Sequence, residues 1–189
     1  VEAGTKYLSG HSDLLMGLVS ANSSHWPALR EAYDAMAMLP GAEDCFLALR
    51  GLRTMHLRVK EAEARGIELA KWLKRQPEIT RVLHPAFEEC PGHENWKKYF
   101  TGSTGLFSII LDKKFSQSSV DNMLDNMSIF GLGYSWGGFE SLIIPFDCAD
   151  YRTATKWSPG GMALRLQVGL EDMDDLKQDL LEGLKRLAE

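Results

Sequence analysis

A long stretch without proline constrains the fold more than any other feature of this sequence. Residues 42–75 contain no proline, and their only interior glycines are Gly51 and Gly66. Apolar residues recur in the stretch every three to four positions, which is the period of an amphipathic helix. The stretch therefore predicts one long helix, and a bend is expected near one of the two glycines.

Outside this helix, short apolar runs alternate with amphipathic patterns. Strands are predicted at residues 14–20, 79–83, 103–111, 141–146 and 162–168. Further helices are predicted from Pro27 to Met36, at residues 116–127 and at residues 172–187. The first strand lacks polar residues and should be buried, whereas the last alternates apolar and polar residues and should be half-buried. The alternation predicts an α/β fold with α+β character toward the last residues.

Composition excludes several classes of protein. The formal net charge of -5 argues against nucleic acid as a partner. No apolar run approaches the roughly 20 residues that a bilayer-spanning helix needs, and the first residues do not resemble a signal peptide. Three widely spaced cysteines fit a reducing compartment better than a disulfide framework. Cys90 and His93 lack a second pair of ligands, so no metal site is predicted.

Lys6 lies in a setting that suits chemistry. Small residues precede it, and Gly10 follows in a stretch of glycine and small polar residues. Glycine lets backbone approach a bulky group closely. A lysine amine in such a place can react with a carbonyl compound. On the residues alone this is weak, because most lysines are solvated surface charges.

Arg165 and the pair Ser135-Trp136 are the other candidates. The alternation of the last strand should point Arg165 away from the face that carries its apolar neighbours Leu164 and Leu166. A planar guanidinium can hold a carboxylate through two parallel hydrogen bonds. Ser135 and Trp136 lie in a glycine-dense segment, where both side chains can line a cavity. A surface arginine and a simply packed tryptophan remain open alternatives.

Several other polar residues are interpreted as structural. His11 and Asp13 sit in a tight loop, where such side chains commonly satisfy backbone groups. Arg50, Arg53 and Arg58 lie along the predicted long helix and should form a solvated or salt-bridged face.

Three segments together resemble a known family. They run from Thr5 to Asp13, from Phe130 to Leu142 and from Leu164 to Asp172. In order and approximate spacing they resemble the Cys/Met-metabolism family of pyridoxal-phosphate (PLP) enzymes. The resemblance covers nearly the whole chain. It implies the later half of PLP fold type I, with the end of the large cofactor domain at residues 1–52 and a smaller α/β domain at residues 53–189.

The resemblance also implies residue roles. Lys6 would be the catalytic lysine that binds PLP covalently, and Thr5 would contact the cofactor phosphate. Arg165 would hold the substrate carboxylate, Ser135 would contact that carboxylate or Lys6, and Trp136 would form a wall of the pocket. The family often has a hydroxyl three residues before the lysine, but this sequence has Ala3 there. One phosphate contact is therefore expected to be missing.

The Ser-Trp pair is typical of the β-eliminating members of the family. The resemblance thus implies cleavage of cystathionine to homocysteine, pyruvate and ammonia in methionine biosynthesis. It also implies a cytoplasmic homotetramer whose active sites are shared between subunits. No nucleic-acid or membrane partner is expected. A γ-synthase or γ-lyase of the same family is the first alternative. An inactive fragment that serves only in assembly is the second.

Overall fold

The computed structural model describes residues 1–188 and contains five α-helices, a short π-helical turn at Gly4–Leu8 and seven strands in that range. The helices are α1 (Trp26–Met36), α2 (Ala42–Leu73), α3 (His93–Tyr99), α4 (Gln117–Asp125) and α5 (Met173–Arg186). The strands are β1 (Glu2–Ala3), β2 (Gly17–Leu18), β3 (Ile79–Leu83), β4 (Leu106–Leu111), β5 (Gly131–Leu132), β6 (Leu142–Phe146) and β7 (Ala163–Gln167). The chain forms two compact units, 1–58 and 59–189, and the division falls within α2. The sequence places the domain boundary after residue 52, and that boundary stays a prediction.

The second unit is built on a mixed five-stranded sheet in the order β3-β4-β7-β6-β5. Neighbouring strands are antiparallel except β5 and β6, which are parallel. The sheet, the later part of α2, α4 and α5 share one hydrophobic core. Its fully buried large side chains are Leu69, Leu73, Ile109, Leu111, Met123, Ile143, Leu164, Leu166, Leu176, Leu180 and Leu184. Burial of this size is typical of a unit that folds cooperatively.

Capping side chains define the first turns of two helices of this unit. The Ser116 side chain accepts a hydrogen bond from the Ser119 N–H at the start of α4. Asp172 accepts from the N–H groups of Asp174 and Asp175 at the start of α5. Each cap satisfies N–H groups that the first helical turn leaves without partners.

Burial corrects the prediction for β7. Of its five residues, only Arg165 is not buried. The strand lies in the middle of the sheet, between β4 and β6, so both of its faces are covered. Alternation in the sequence predicted a half-buried strand, but a central position overrides that pattern.

The first unit has very little interior. Within residues 1–58, all of which the structure describes, the buried apolar residues are Leu14 and Ala48. The predicted buried strand at residues 14–20 is wrong. Only β2 forms, paired with β1, while the neighbouring Leu15 is 89% exposed. Helix α1 begins at the predicted place but buries none of its residues.

The two glycines of the long helix permit close backbone contacts. Helix α2 is continuous from Ala42 to Leu73 and passes through both. A Cβ on Gly51 would lie 2.5 Å from the carbonyl oxygens of Leu8 and Ser9, and a Cβ on Gly66 would lie 2.7 Å from the Thr104 oxygen. Both distances are too short for any side chain, so each glycine is required where another segment crosses the helix.

His84 is a buried titratable residue that the sequence prediction overlooks. It is fully buried, and its ring stacks on Phe87 at 5.0 Å between centroids and approaches Phe107 at 5.6 Å. Nδ1 accepts a hydrogen bond from the Ala86 N–H at 3.2 Å. Burial lowers the pKa of the His84 imidazole, and the nearby Glu63 carboxylate only partly opposes this. The folded chain therefore holds His84 neutral.

This burial predicts a pH dependence of stability. The pKa of His84 lies below its unfolded value, so the unfolded chain binds the proton more readily. The contribution is complete above the unfolded pKa of about 6.5 and is lost as the pH falls through the folded value. We expect a lower urea midpoint by circular dichroism at pH 5 than at pH 7.5. His84→Phe keeps the aromatic packing and should show a smaller difference. An equal pH dependence in that variant would contradict the assignment.

Candidate active site

Lys6 lies at a break in a short helical turn. The turn covers Gly4–Leu8, and Lys6 leaves helical geometry with φ -90° and ψ -126°. The segment is closed by hydrogen bonds from the Ser9 N–H to the Gly4 oxygen and from the Gly10 N–H to the Lys6 oxygen. Lys6 is half-buried, and it is the only lysine among residues 1–58. The segment therefore presents a single side-chain amine on a closed backbone turn.

Arg58 fixes this turn to α2. Its guanidinium donates to the carbonyl oxygens of Tyr7 at 2.8 Å and Leu8 at 3.0 Å, and to the Gly51 oxygen at 2.8 Å. Burial lowers the pKa of Arg58. Hydrogen bonds from a charged donor to carbonyls are stronger than neutral ones. The two residues that follow the lysine are thus held by α2.

The interpretation of Arg58 as part of a solvated face is therefore wrong. Its partners are backbone carbonyls, which apolar periods and charge patterns do not reveal. The spacing of Gly51 and Arg58 is a weaker signal, because residues seven positions apart lie on the same face of a helix. A glycine at a crossing point followed by an arginine two turns later is consistent with a backbone clamp. For Arg50 the interpretation is confirmed, since it forms an ion pair with Asp13 at 3.0 Å.

The Thr5 hydroxyl makes two local contacts with Met16. It accepts a hydrogen bond from the Met16 N–H at 2.9 Å and donates to the Met16 oxygen at 3.3 Å. The second of these is long and weak. The hydroxyl would have to turn away from Met16 to donate to a phosphate, so the cofactor role of Thr5 stays a prediction. His11 contacts the Ser9 oxygen through Nδ1, in keeping with its structural interpretation.

The second unit brings together the other three predicted residues. Arg165 Nη2 lies 3.2 Å from the Ser135 oxygen and 3.3 Å from the Gly133 oxygen. Its Cζ lies 5.7 Å from the centroid of the Trp136 ring, within the range of a cation–π contact. Arg165 therefore contacts both residues of the Ser-Trp pair, whereas Lys6 and Thr5 belong to the first unit.

One N–H of Arg165 lacks a partner. Among residues 1–188, no group forms a hydrogen bond with its buried Nε. Leaving a buried donor unsatisfied costs about 1–3 kcal/mol, and more where the group is charged. A carboxylate that accepted from Nε and from a neighbouring Nη would satisfy this donor and form the two parallel bonds for which the guanidinium is shaped. The geometry is suited to an anionic, planar ligand group.

Comparison with known proteins places this chain among enzymes that use an aldehyde cofactor. The model of the family "Cys/Met metabolism PLP-dependent enzyme" matches residues 1–185. The chain belongs to the Cys/Met-metabolism family of PLP-dependent enzymes. The resemblance to this family, the PLP cofactor and the fold type I class are thereby confirmed.

Named relatives agree with this family. A Saccharomyces cerevisiae protein, provisionally named a cystathionine beta-lyase, is 61% identical over 138 residues, which are 73% of this chain and 41% of that protein. The Escherichia coli cystathionine beta-lyase is 42% identical over 191 residues, which cover 100% of this chain and 48% of the relative. The chain thus spans less than half the length of these two relatives.

A solved structure supports the fold. The cystathionine gamma synthase of Xanthomonas oryzae pv. oryzae, in complex with cystathionine, superposes with a TM-score of 0.83 at 30% identity. The match covers 98% of this chain and 49% of the other.

The residues present fit PLP on the chemistry of their donors. A primary amine is the group that reacts with the PLP aldehyde, and Lys6 supplies the single side-chain amine of its unit. Lys6 would hold the cofactor, and Thr5 would add a phosphate contact once its hydroxyl turned from Met16.

No cluster of three or more metal-ligating side chains occurs within residues 1–188. In the same range, no helix is long and apolar enough to cross a membrane.

Proposed function

We propose that the protein containing this chain cleaves the carbon–sulfur bond of cystathionine by β-elimination, releasing homocysteine, pyruvate and ammonia. The observation that carries the proposal is the contact of Arg165 with Ser135 and Trp136. The Ser-Trp pair distinguishes β-eliminating members in the family resemblance, and here the pair contacts the predicted carboxylate-binding arginine. The proposal includes the cytoplasmic homotetramer and the role in methionine biosynthesis that the resemblance implies.

Arg165 would bind and orient the amino-acid substrate. Its Nε and one Nη would donate to the two oxygens of the α-carboxylate, which fixes the rotation of the substrate about Cα. Trp136 would cover the guanidinium on one side and exclude water from this contact. Bonds to an ionised carboxylate gain strength where water is excluded.

Lys6 would transfer the protons. PLP, when bound, takes up the electron pair that the Cα–H bond leaves behind. The Lys6 amine would take the Cα proton at Nζ and would return a proton to the sulfur as the Cβ–S bond breaks. The three-carbon fragment that is left would then be hydrolysed to pyruvate and ammonia. A single amine would thus serve first as base and then as acid, which requires it to be held between Cα and the sulfur.

The keto acid product tests this proposal. The PLP-loaded protein that contains this chain is given L-cystathionine, and the products are separated by chromatography. Pyruvate and homocysteine are expected in equal amounts. Formation of 2-oxobutyrate and cysteine instead would contradict β-elimination.

The γ-eliminating alternative rests on a specific observation. A γ-synthase superposes on this chain with a TM-score of 0.83, so the fold alone accommodates both reactions. The 2-oxobutyrate outcome would select this alternative. If the purified protein lacked the visible absorbance of bound PLP, the inactive assembly module would remain.

A further inference from the structure

The loop that carries Ser135 and Trp136 is short of regular structure and rich in glycine. It runs from residue 131 to residue 140, begins with the two residues of β5 and contains four glycines. Glycine-rich backbone has more conformations to lose on ordering than other backbone. If this loop is to hold Ser135 and Trp136 against Arg165, the chain must be fixed on both sides of it.

A buried carboxylate fixes the residues before the loop. Asp179 on α5 is only 6% exposed. Its two oxygens accept hydrogen bonds from three consecutive backbone N–H groups, those of Ser128 at 2.8 Å, Ile129 at 2.8 Å and Phe130 at 3.0 Å. Bonds from N–H groups to an ionised carboxylate are about twice as strong as neutral ones. Asp179 therefore holds the backbone that enters the loop.

A second carboxylate fixes the residues after the loop. Glu171 accepts from the Ser141 N–H at 2.7 Å through one oxygen and from the Ser141 hydroxyl at 2.8 Å through the other. The same hydroxyl accepts from the Gly169 N–H at 2.8 Å. Gly169 lies just after β7, which carries Arg165. Glu171 thus ties the end of the loop to the strand that bears the arginine.

Arg65 supports this second anchor from α2. Its Nε donates to the backbone oxygen of Gly169 at 2.8 Å, and its Nη2 donates to the backbone oxygen of Glu171. The adjacent Leu170 N–H donates to the Phe139 oxygen at 2.8 Å, inside the loop itself. The contacts form one network around residues 139–141 and 169–171.

We propose that Asp179 and Glu171 are positioning residues that fix the two ends of this loop and thereby hold Ser135 and Trp136 against Arg165. The proposal rests on the proposed function, because the consequence for catalysis assumes that Arg165 binds the substrate carboxylate. Neither carboxylate is assigned a contact with substrate or cofactor. Their effect on the substrate would pass through the loop.

Amide hydrogen exchange on the protein that contains this chain tests the structural part without substrate or turnover. Asp179→Asn preserves size but replaces an accepting oxygen with an NH2 donor that would face backbone N–H groups. We expect exchange at residues 128–139 to accelerate at least about tenfold, with β4 and α5 unchanged. Glu171→Gln should accelerate exchange at residues 137–142 by a similar factor. Glu182→Gln is the matched control. Glu182 is an exposed carboxylate on α5, the helix that carries Asp179, and its substitution should change the exchange rate of neither segment.

Kinetics of the PLP-loaded protein test the consequence for the substrate. Both variants should raise KM for the amino-acid substrate about tenfold and leave kcat within about threefold, because the loop binds the carboxylate and does not move the protons. Glu182→Gln should leave both constants unchanged. A residue that merely stabilised the fold would not separate KM from kcat.

Three results would overturn the proposal. The first is unchanged exchange at residues 131–139 in both folded variants. The second is a uniform loss of protection across residues 59–188 in both, since the carboxylates would then support the whole unit. The third is faster loop exchange without any rise in KM. If the loop loosens as expected but the unaltered protein has no lyase activity, the proposed function fails and the positioning of the loop stands.

Discussion

Replacing Lys6 with alanine is expected to lower the turnover of cystathionine by at least about 10³-fold, because a positioned acid or base alone contributes 10²–10⁴-fold. The variant should also lose the visible absorbance of covalently bound PLP. Both changes have one cause, since Lys6 is the only lysine on its unit. The measurements are keto-acid release and an absorbance spectrum of the purified protein.

A matched lysine controls for nonspecific loss of charge. Lys60 is exposed on α2, and Lys60→Ala should keep both turnover and spectrum. Circular dichroism of both variants would show whether the fold is retained. Normal turnover in a folded Lys6→Ala protein would reject the assignment of Lys6 and the enzymatic interpretation with it.

Replacing Arg165 with lysine should mainly raise KM, by about 10- to 100-fold. The substitution keeps the positive charge but loses the planar fork, and a hydrogen bond to a charged group contributes about 1.5–3 kcal/mol. Steady-state kinetics with cystathionine measure the effect. Arg53→Lys, at an exposed position of α2, is the control and should leave KM unchanged. Unchanged kinetics in Arg165→Lys would show that the carboxylate binds elsewhere.

The fold of the second unit could largely be predicted from its sequence. Strands β3, β4, β6 and β7 and helices α4 and α5 lie within or close to their predicted ranges. Each has a clear apolar period, and most of them are bounded by a proline, a glycine or a capping side chain. Strand β5 was missed because it has only two residues, one of them a glycine, which is too few to show a period. Its pairing with β6 cannot be seen in the local sequence.

The first unit shows where periodicity is insufficient. The run at residues 14–20 was predicted to form a buried strand, but only Leu14 of its apolar residues is buried. Helix α1 was predicted from its apolar period, yet none of its residues is buried. An apolar pattern indicates which side of a segment favours burial, but it does not supply a partner to cover that side. In this unit β2 pairs with a strand of two residues, which is too short to enclose the run.

Long-range polar contacts at the site could not be predicted. The hydrogen bonds of Asp179 and Glu171 to the two ends of the loop join residues 30 to 51 positions apart. In the sequence, Asp179 is one acidic residue among several on an amphipathic helix. By contrast, Arg165, Ser135 and Trp136 were all singled out from the sequence, and they lie in contact. Their roles in binding substrate stay a prediction.

The uneven distribution of buried side chains has a consequence for heat denaturation. A segment whose interior contains little more than Leu14 and Ala48 has a small enthalpy of melting, whereas the sheet and its helices bury enough apolar surface to melt as one body. The two segments would lose structure at different temperatures. A calorimetric scan of the isolated polypeptide would then give a van't Hoff enthalpy that differs from the integrated heat, and no single melting temperature would describe the molecule.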